Sequence, residues 1–181
     1  VAIPDHSTAK NELRRTMRRI VAERSGESAP PLRAVAAWLD ANPERVTVAT
    51  FHPIAGEPDL TDLARSRPQR IWVFPKVIGD NLGFRIVADL HADLKPGAFG
   101  IMEPADHCPR AELSDIDVFL CPGLAFDEQG GRLGRGKGYY DRALSMARPD
   151  ALKLGVCFPW QIVPDTFAQE HDIRMDEVLC G

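Results

Sequence analysis

Apolar residues Leu13, Met17, Ile20 and Val21 recur at i, i+4, i+7 and i+8, the spacing of one helix face. They predict a helix over residues 8–24, with Ser7 or Thr8 as its N-cap. A loop over 26–31 follows. Leu32, Val35, Ala36 and Leu39 then mark a second helix that ends near Asn42-Pro43. Beyond this point the period changes. Residues 46–51 are β-rich and short, and 59–67 suit a short helix. Residues 71–74 form a continuous apolar run, the pattern of a strand buried on both faces. Residues 82–87 alternate, as in a half-exposed strand. Residues 116–121 and 152–157 read as further strands, 139–147 as a helix, and 177–180 as the last strand. A hairpin-like insertion near 80–105 stands outside the alternation. Strands separated by helices predict an α/β fold, a three-layer α/β/α sandwich around a mainly parallel sheet.

The chain has 181 residues, which predicts a single domain over 1–181. It is 44% hydrophobic and 27% charged, within the range of soluble globular proteins. No apolar run approaches the roughly 18 residues of a membrane span. The start of the sequence lacks the apolar core of a secretory signal. A net charge of -4 argues against bulk nucleic-acid affinity. Cys108, Cys121, Cys157 and Cys180 contain no CxxC pair, so neither a disulfide framework nor a zinc motif is expected. Cys121 and Cys157 lie in expected strands and read as buried and inert. Trp38, Trp72 and Trp160 read as core. His107-Cys108 shows no partner at metal-ligand spacing and reads as loop. These features predict a cytoplasmic monomer that acts on small molecules.

The densest chemistry lies between Pro122 and Asp141. Gly123, Gly130, Gly131, Gly134, Gly136 and Gly138 fall within sixteen residues, although the whole chain has only 14 glycines. The stretch follows an expected buried strand and precedes an expected helix, the usual ligand position in an open α/β sheet. Glycines let a ligand approach the backbone, and a helix start offers free N–H groups. Arg132, Arg135 and Lys137 add three cations with no acid between them. Together they predict an anion site suited to phosphate. Gly131 through Lys137 nearly spell GxxxxGK, but Gly138 replaces the hydroxyl residue that would hold Mg²⁺. A standard P-loop is therefore disfavoured, and metal ligands must come from elsewhere. Asp141 and Asp172 are the candidates.

Three segments now resemble a known family. They are Gly123-Leu-Ala-Phe-Asp127, Arg132-Leu-Gly-Arg-Gly-Lys-Gly-Tyr-Tyr-Asp141 and Glu170-His-Asp172, and the family is 5-formyltetrahydrofolate cyclo-ligase. Lys10-Asn-Glu-Leu-Arg14, Phe74-Pro-Lys76 and Gly100-Ile-Met-Glu-Pro104 extend the resemblance along nearly the whole chain. It implies a three-layer α/β fold and a reaction of ATP with 5-formyltetrahydrofolate. The implied products are 5,10-methenyltetrahydrofolate, ADP and phosphate, with Mg²⁺ required. The implied ATP ligands are Lys10, Arg14, Arg132 and Gly134, Arg135, Gly136, Lys137, Gly138, Tyr139, Tyr140 and Asp141. Among these, Arg132, Arg135 and Lys137 would carry catalysis. The implied metal ligands are Asp141 and Asp172. Implied folate contacts are Glu57 and Arg135 through Tyr139, with His52 and Phe99 as further lining positions. His52 departs from the apolar residue expected there.

The chemistry suits these residue types. Phosphorylation turns a formamide oxygen into a leaving group, and N10 can then close the ring. Such a reaction needs positioning and charge neutralisation more than a covalent nucleophile. Alone, the basic face made by Lys10, Arg14, Arg15, Arg18 and Arg19 would read as a solvated surface, Glu57 as a turn carboxylate and His171 as a surface histidine. Competing readings are an inactive nucleotide- or folate-binding regulator, a basic-helix RNA-binding module, and a sugar-phosphate enzyme of the same broad fold. The RNA reading lacks interleaved aromatics.

Overall fold

The computed structural model describes residues 6–24 and 27–181, with the side chain of Phe99 outside that description. The central sheet has seven strands. In chain order they are β1 (Thr47–Ala49), β2 (Ile71–Ile78), β3 (Asn81–Ile86), β6 (Arg110–Ala111), β7 (Val118–Cys121), β10 (Leu152–Cys157) and β11 (Glu177–Cys180). Two hairpins complete the set: β4 (Leu94–Pro96) with β5 (Met102–Pro104), and β8 (Ala125–Phe126) with β9 (Arg132–Leu133). Across the sheet the order is β11-β10-β7-β1-β2-β3-β6. The first five pair in parallel, whereas β2–β3 and β3–β6 are antiparallel. The sheet is thus mainly parallel, with an antiparallel edge of β3 and β6, and the expected insertion near 80–105 supplies β3 and the β4–β5 hairpin.

Alternation along the strands feeds two cores. Val48, Trp72, Phe74, Val118, Leu120 and Leu154 face one side, where they meet α2 (Ala29–Ala41) and α3 (Thr61–Ser66) through Val35, Leu39 and Leu63. Ala49, Val73, Phe119 and Cys121 face the other, with Ala143 and Leu144 of α4 (Tyr139–Ser145). Two-sided burial is why these strands carry apolar residues at both parities.

Several boundaries differ from expectation. The first helix, α1, spans His6–Glu23, so Ser7 and Thr8 lie inside the helix instead of capping it. The helix α2 begins at Ala29 and takes in Pro30 and Pro31, which the sequence suggested were loop. Proline is tolerated there because first-turn N–H groups have no helical acceptor anyway. Gly26 lies outside the described residues. Ile71 is exposed, and β2 runs on to Ile78. Pro75 fits inside that strand because Val73, two residues earlier, turns its carbonyl to Thr50 just where β1 ends. Pro75 presents its missing N–H to the same side, where no strand remains to bond it.

The helix α1 belongs to neither sheet layer. Its Met17, with Leu13, Ile20 and Val21 beside it, packs on Leu124, Ala125 and Leu133 of the β8–β9 hairpin. The apolar face read from the sequence therefore mounts α1 against the glycine-rich segment.

Candidate active site

Chain order reverses around β1. The chain passes from β1 outward to β2, β3 and β6, then returns to β7 on the other side of β1. A crevice opens beyond the carboxyl ends of strands at such a switch point. Here it holds a cavity of about 890 Å³, lined by Phe51 and His52 after β1 and by Pro122 and Gly123 after β7. Lys10, Arg14, Glu57, Arg132, Gly134 through Asp141, and Asp172 also line it. Every candidate site residue except Phe99 thus faces one cavity; the Phe99 side chain lies outside the described residues.

The glycine-rich segment is two devices in sequence. Its first half is the β8–β9 hairpin, whose turn is organised by buried Asp127. One carboxylate oxygen accepts the Gln129 and Gly131 N–H groups at 3.0 and 2.8 Å. The other accepts the Thr166 N–H and hydroxyl at 2.9 and 2.6 Å. These donors outweigh burial and hold Asp127 below the usual carboxylate range. A Cβ on Gly131 would lie 2.2 Å from this same carboxylate. Gly130 and Gly131 therefore serve the turn, and the near-match to a P-loop is broken by the hairpin. Within 123–138, Gly130 and Gly131 stand outside the cavity lining, while Gly123, Arg132 and residues 134–138 belong to it.

That second half is a nest. Gly136 and Gly138 have φ values of 99° and 67°, accessible to glycine at no steric cost. Among the described residues, no protein acceptor takes the N–H groups of Arg135, Gly136, Lys137 and Gly138. A run of free amides in alternating conformations is a concave anion receptor.

Three of the cations have acidic partners, and Arg135 and Lys10 draw theirs from distant parts of the chain. Buried Arg132 pairs with Asp141 at 3.0 Å, donates to the Pro122 carbonyl at 3.3 Å and lies 5.3 Å over the Tyr140 ring. Its Nε is buried without a hydrogen-bond acceptor among the described residues. Arg135 pairs with Glu57 at 3.3 Å. Lys10, itself buried, pairs with Asp172. Asp172 also accepts the Gln169 N–H at 2.6 Å. Burial would raise its pKa, but Lys10 and this N–H outweigh that and hold it low. Exposed Lys137 pairs with no acid among the described residues. Arg14 donates to the Gly134 carbonyl at 3.1 Å.

Glu57 is not a solvated turn residue. Its side chain is only 6% exposed, and burial pushes its pKa up to about 7 against the opposing pull of Arg135. Two residues escaped the sequence reading. Arg142 lines the cavity, lies 5.4 Å over the Tyr139 ring and donates to the Lys137 carbonyl at 3.0 Å. Its signal was its place three residues after Tyr139 on one helix face. Asp127 closes the Gly123–Asp127 motif without an assigned role, and its remaining signal was an acid ahead of Gly-Gly, an Asx-turn signature. His171 is exposed and lies 3.9 Å from Asp172.

Asp141 and Asp172 suit an ion that takes one or two carboxylates and completes its shell with phosphate oxygens and water, as Mg²⁺ does. Elsewhere, Asp93 meets His107 at 3.0 Å, and the Cys108 thiol donates to the Asp93 carbonyl at 3.6 Å. His107-Cys108 thus has a partner fourteen positions away that spacing did not reveal. The other Asp93 oxygen already caps Ala88 and Asp89, and burial pushes the Cys108 thiol up, so the group acts as a strap. Cys121 is pushed up to about 12 by burial, in line with an inert core thiol. No helix of the described residues is long and apolar enough to cross a membrane.

Comparison with known proteins agrees with this fold. A solved structure of Aquifex aeolicus 5,10-methenyltetrahydrofolate synthetase superposes with a TM-score of 0.79 at 36% identity, covering 94% of this chain and 89% of that one. The Mycoplasma pneumoniae 5,10-methenyltetrahydrofolate synthetase gives 0.76 at 26% identity, with 94% and 97% covered. The 5-formyltetrahydrofolate cyclo-ligase of Mycolicibacterium smegmatis is 31% identical over 186 residues, 94% of this chain and 93% of that protein. The family pattern itself matches residues 3–181, and the chain belongs to the 5-formyltetrahydrofolate cyclo-ligase family.

Proposed function

We propose that this chain converts 5-formyltetrahydrofolate to 5,10-methenyltetrahydrofolate at the expense of ATP, releasing ADP and phosphate. The observation that carries the reading is one cavity with two chemically different walls. One wall is the 134–138 nest with Arg132, Lys137 and Arg14, suited to a polyphosphate. The other presents buried Glu57, with His52 and Phe51 nearby, suited to a flat heterocycle with adjacent N–H donors.

In this reading the γ-phosphoryl group moves from ATP to the formyl oxygen, and ADP leaves. N10 then attacks the activated carbon, the carbon–oxygen bond breaks, phosphate departs and N10 loses its proton. Arg132 and Lys137 neutralise charge that develops on the transferring group, and Arg135 bridges the two walls. Such positioned charges contribute about 2.7–4 kcal/mol each to a transition state. The nest amides orient the phosphates, while Glu57 accepts the pterin donors and fixes the folate. Asp141 and Asp172 would hold Mg²⁺, which neutralises phosphate charge when bound. The reading extends to a cytosolic monomer.

The test is direct. Protein, ATP, Mg²⁺ and 5-formyltetrahydrofolate are mixed and followed by ultraviolet absorbance, with ADP measured in parallel. A methenyl chromophore that grows with ADP one for one is the expected result. No chromophore, or a chromophore without ATP, would overturn the proposal.

A further inference from the structure

Lys10, Arg14 and Arg18 stand four residues apart and form one stripe along α1. The sequence alone makes Arg18 a solvated surface charge, and it does not line the cavity. The structure gives it a specific task. Its Nη2 donates to the Arg135 carbonyl at 3.0 Å, as Arg14 Nε donates to the Gly134 carbonyl at 3.1 Å. One turn of α1 therefore pins two consecutive carbonyls of the nest.

Among the described residues the peptide bonds are trans, and in a trans peptide the N–H of the next residue points opposite to the carbonyl. Holding the Gly134 and Arg135 carbonyls against α1 turns the Arg135 and Gly136 N–H groups away from it. Those two amides are among the four that have no protein acceptor among the described residues. Glycine at 136, with φ of 99°, lets the backbone take this orientation but cannot enforce it. The helix supplies the enforcement because it is itself fixed to the β8–β9 hairpin through Met17, Leu124 and Leu133.

We propose that Arg18 is a positioning residue that orients the phosphate-binding amides by holding the Arg135 carbonyl. The proposal rests on the reading of the cavity as a nucleotide site. Its distinguishing property is selectivity: nucleotide handling depends on it, folate handling does not. A preorganised receptor loses affinity when its donors must be ordered by the ligand.

The experiment measures MgATP and inorganic tripolyphosphate binding by calorimetry to the full chain and to Arg18→Ala, Arg18→Lys and Arg15→Ala. Steady-state kinetics and melting without nucleotide are measured alongside. Arg15 is exposed on the same helix and serves as the control for lost charge. The expected result for Arg18→Ala is about tenfold weaker binding of both anions, the scale of one hydrogen bond. The KM for ATP rises in step, while kcat, the folate KM and the melting temperature barely move. Arg18→Lys keeps a donor and recovers most of the affinity; Arg15→Ala behaves as wild type. Wild-type binding with an unchanged Arg18→Ala protein would overturn the role of Arg18 alone. So would an equal loss in Arg15→Ala, which would make the effect one of general charge. Failure of the wild-type chain to bind either anion would overturn the nucleotide site as well.

Discussion

Lys10 and Asp172, 162 positions apart, meet in a largely buried ion pair that ties the opening helix to the segment before the last strand. Arg132 and Asp141 repeat the arrangement across the same cavity. Each carboxylate proposed for metal is thus held by a cation proposed for phosphate. Arrival of a metal-bound nucleotide would exchange partners, cation to phosphate and carboxylate to metal, without leaving a charge alone.

This pairing sets the first prediction. Asp172→Asn and Asp141→Asn should each raise the Mg²⁺ concentration needed for half-maximal activity. Asp172→Asn should also lose roughly 1–3 kcal/mol in urea unfolding without nucleotide, because it leaves Lys10 buried beside an amide. The folded pKa of Asp172 is depressed, so its stabilisation is present above the ordinary 3.8 and fades as pH falls through the lower folded value. The variant should be flat across that acid window. Unchanged Mg²⁺ dependence in both proteins would reduce the carboxylates to structural partners.

The second prediction separates two cations that the sequence treats alike. Lys137→Ala should cut turnover about a hundredfold or more, yet shift unfolding by less than about 0.5 kcal/mol, since its ammonium is exposed and pairs with no acid among the described residues. Arg132→Ala should lose comparable activity and also about 2–4 kcal/mol of stability, because it strips partners from Asp141 and from the Pro122 carbonyl. Equal stability losses in the two variants would contradict the difference in burial.

The contrast shows what the chain made legible. Periodicity placed α1, the parallel strands and the helix at 139, since each depends on residues a few positions apart. Composition exposed the loop, because glycines and cations cluster within one short span. Partnership was invisible. Glu57 reads as a turn acid until Arg135, 78 positions on, meets it in a buried corner. The hairpin inside the glycine run was hidden too, since its two-residue strands carry no period. Asp127 alone hinted at it.

Asp127 supplies the third prediction. Its carboxylate accepts two donors within the hairpin turn and two from Thr166, and it is not among the residues that line the cavity. Asp127→Ala should cost about 3 kcal/mol or more, as several buried donors lose their acceptor together. Asp127→Asn should cost less, because one oxygen remains. Activity per folded molecule should fall only modestly in the milder variant. Chemical denaturation with parallel activity assays decides the matter; a loss of kcat with full stability would move Asp127 into the chemistry.

Glu57 yields the final prediction, which turns on pH. Its folded pKa of about 7 lies above its ordinary 4.5, mainly through burial. The folded state thus holds a proton that the unfolded state has released between these values. Stability from this group falls as pH rises from about 4.5 to about 7, by up to roughly 3 kcal/mol. Glu57→Gln stays neutral throughout, so it should flatten that slope and unfold later than wild type at pH 8. Folate binding should run the other way. The pterin donors need an ionised acceptor, so wild-type folate affinity should weaken as pH drops below about 7. The glutamine variant should bind folate weakly at every pH, by about 1.5–3 kcal/mol at pH 8, and keep its ATP affinity. Calorimetry with folate and with ATP across pH 5.5–8.5, beside melting curves in the same buffers, reads both effects. If the variant matched wild type in folate affinity at pH 8, Glu57 would be a buried partner of Arg135 and no more. If wild-type folate affinity were flat across the range, the ionised carboxylate would not be the group that receives the pterin.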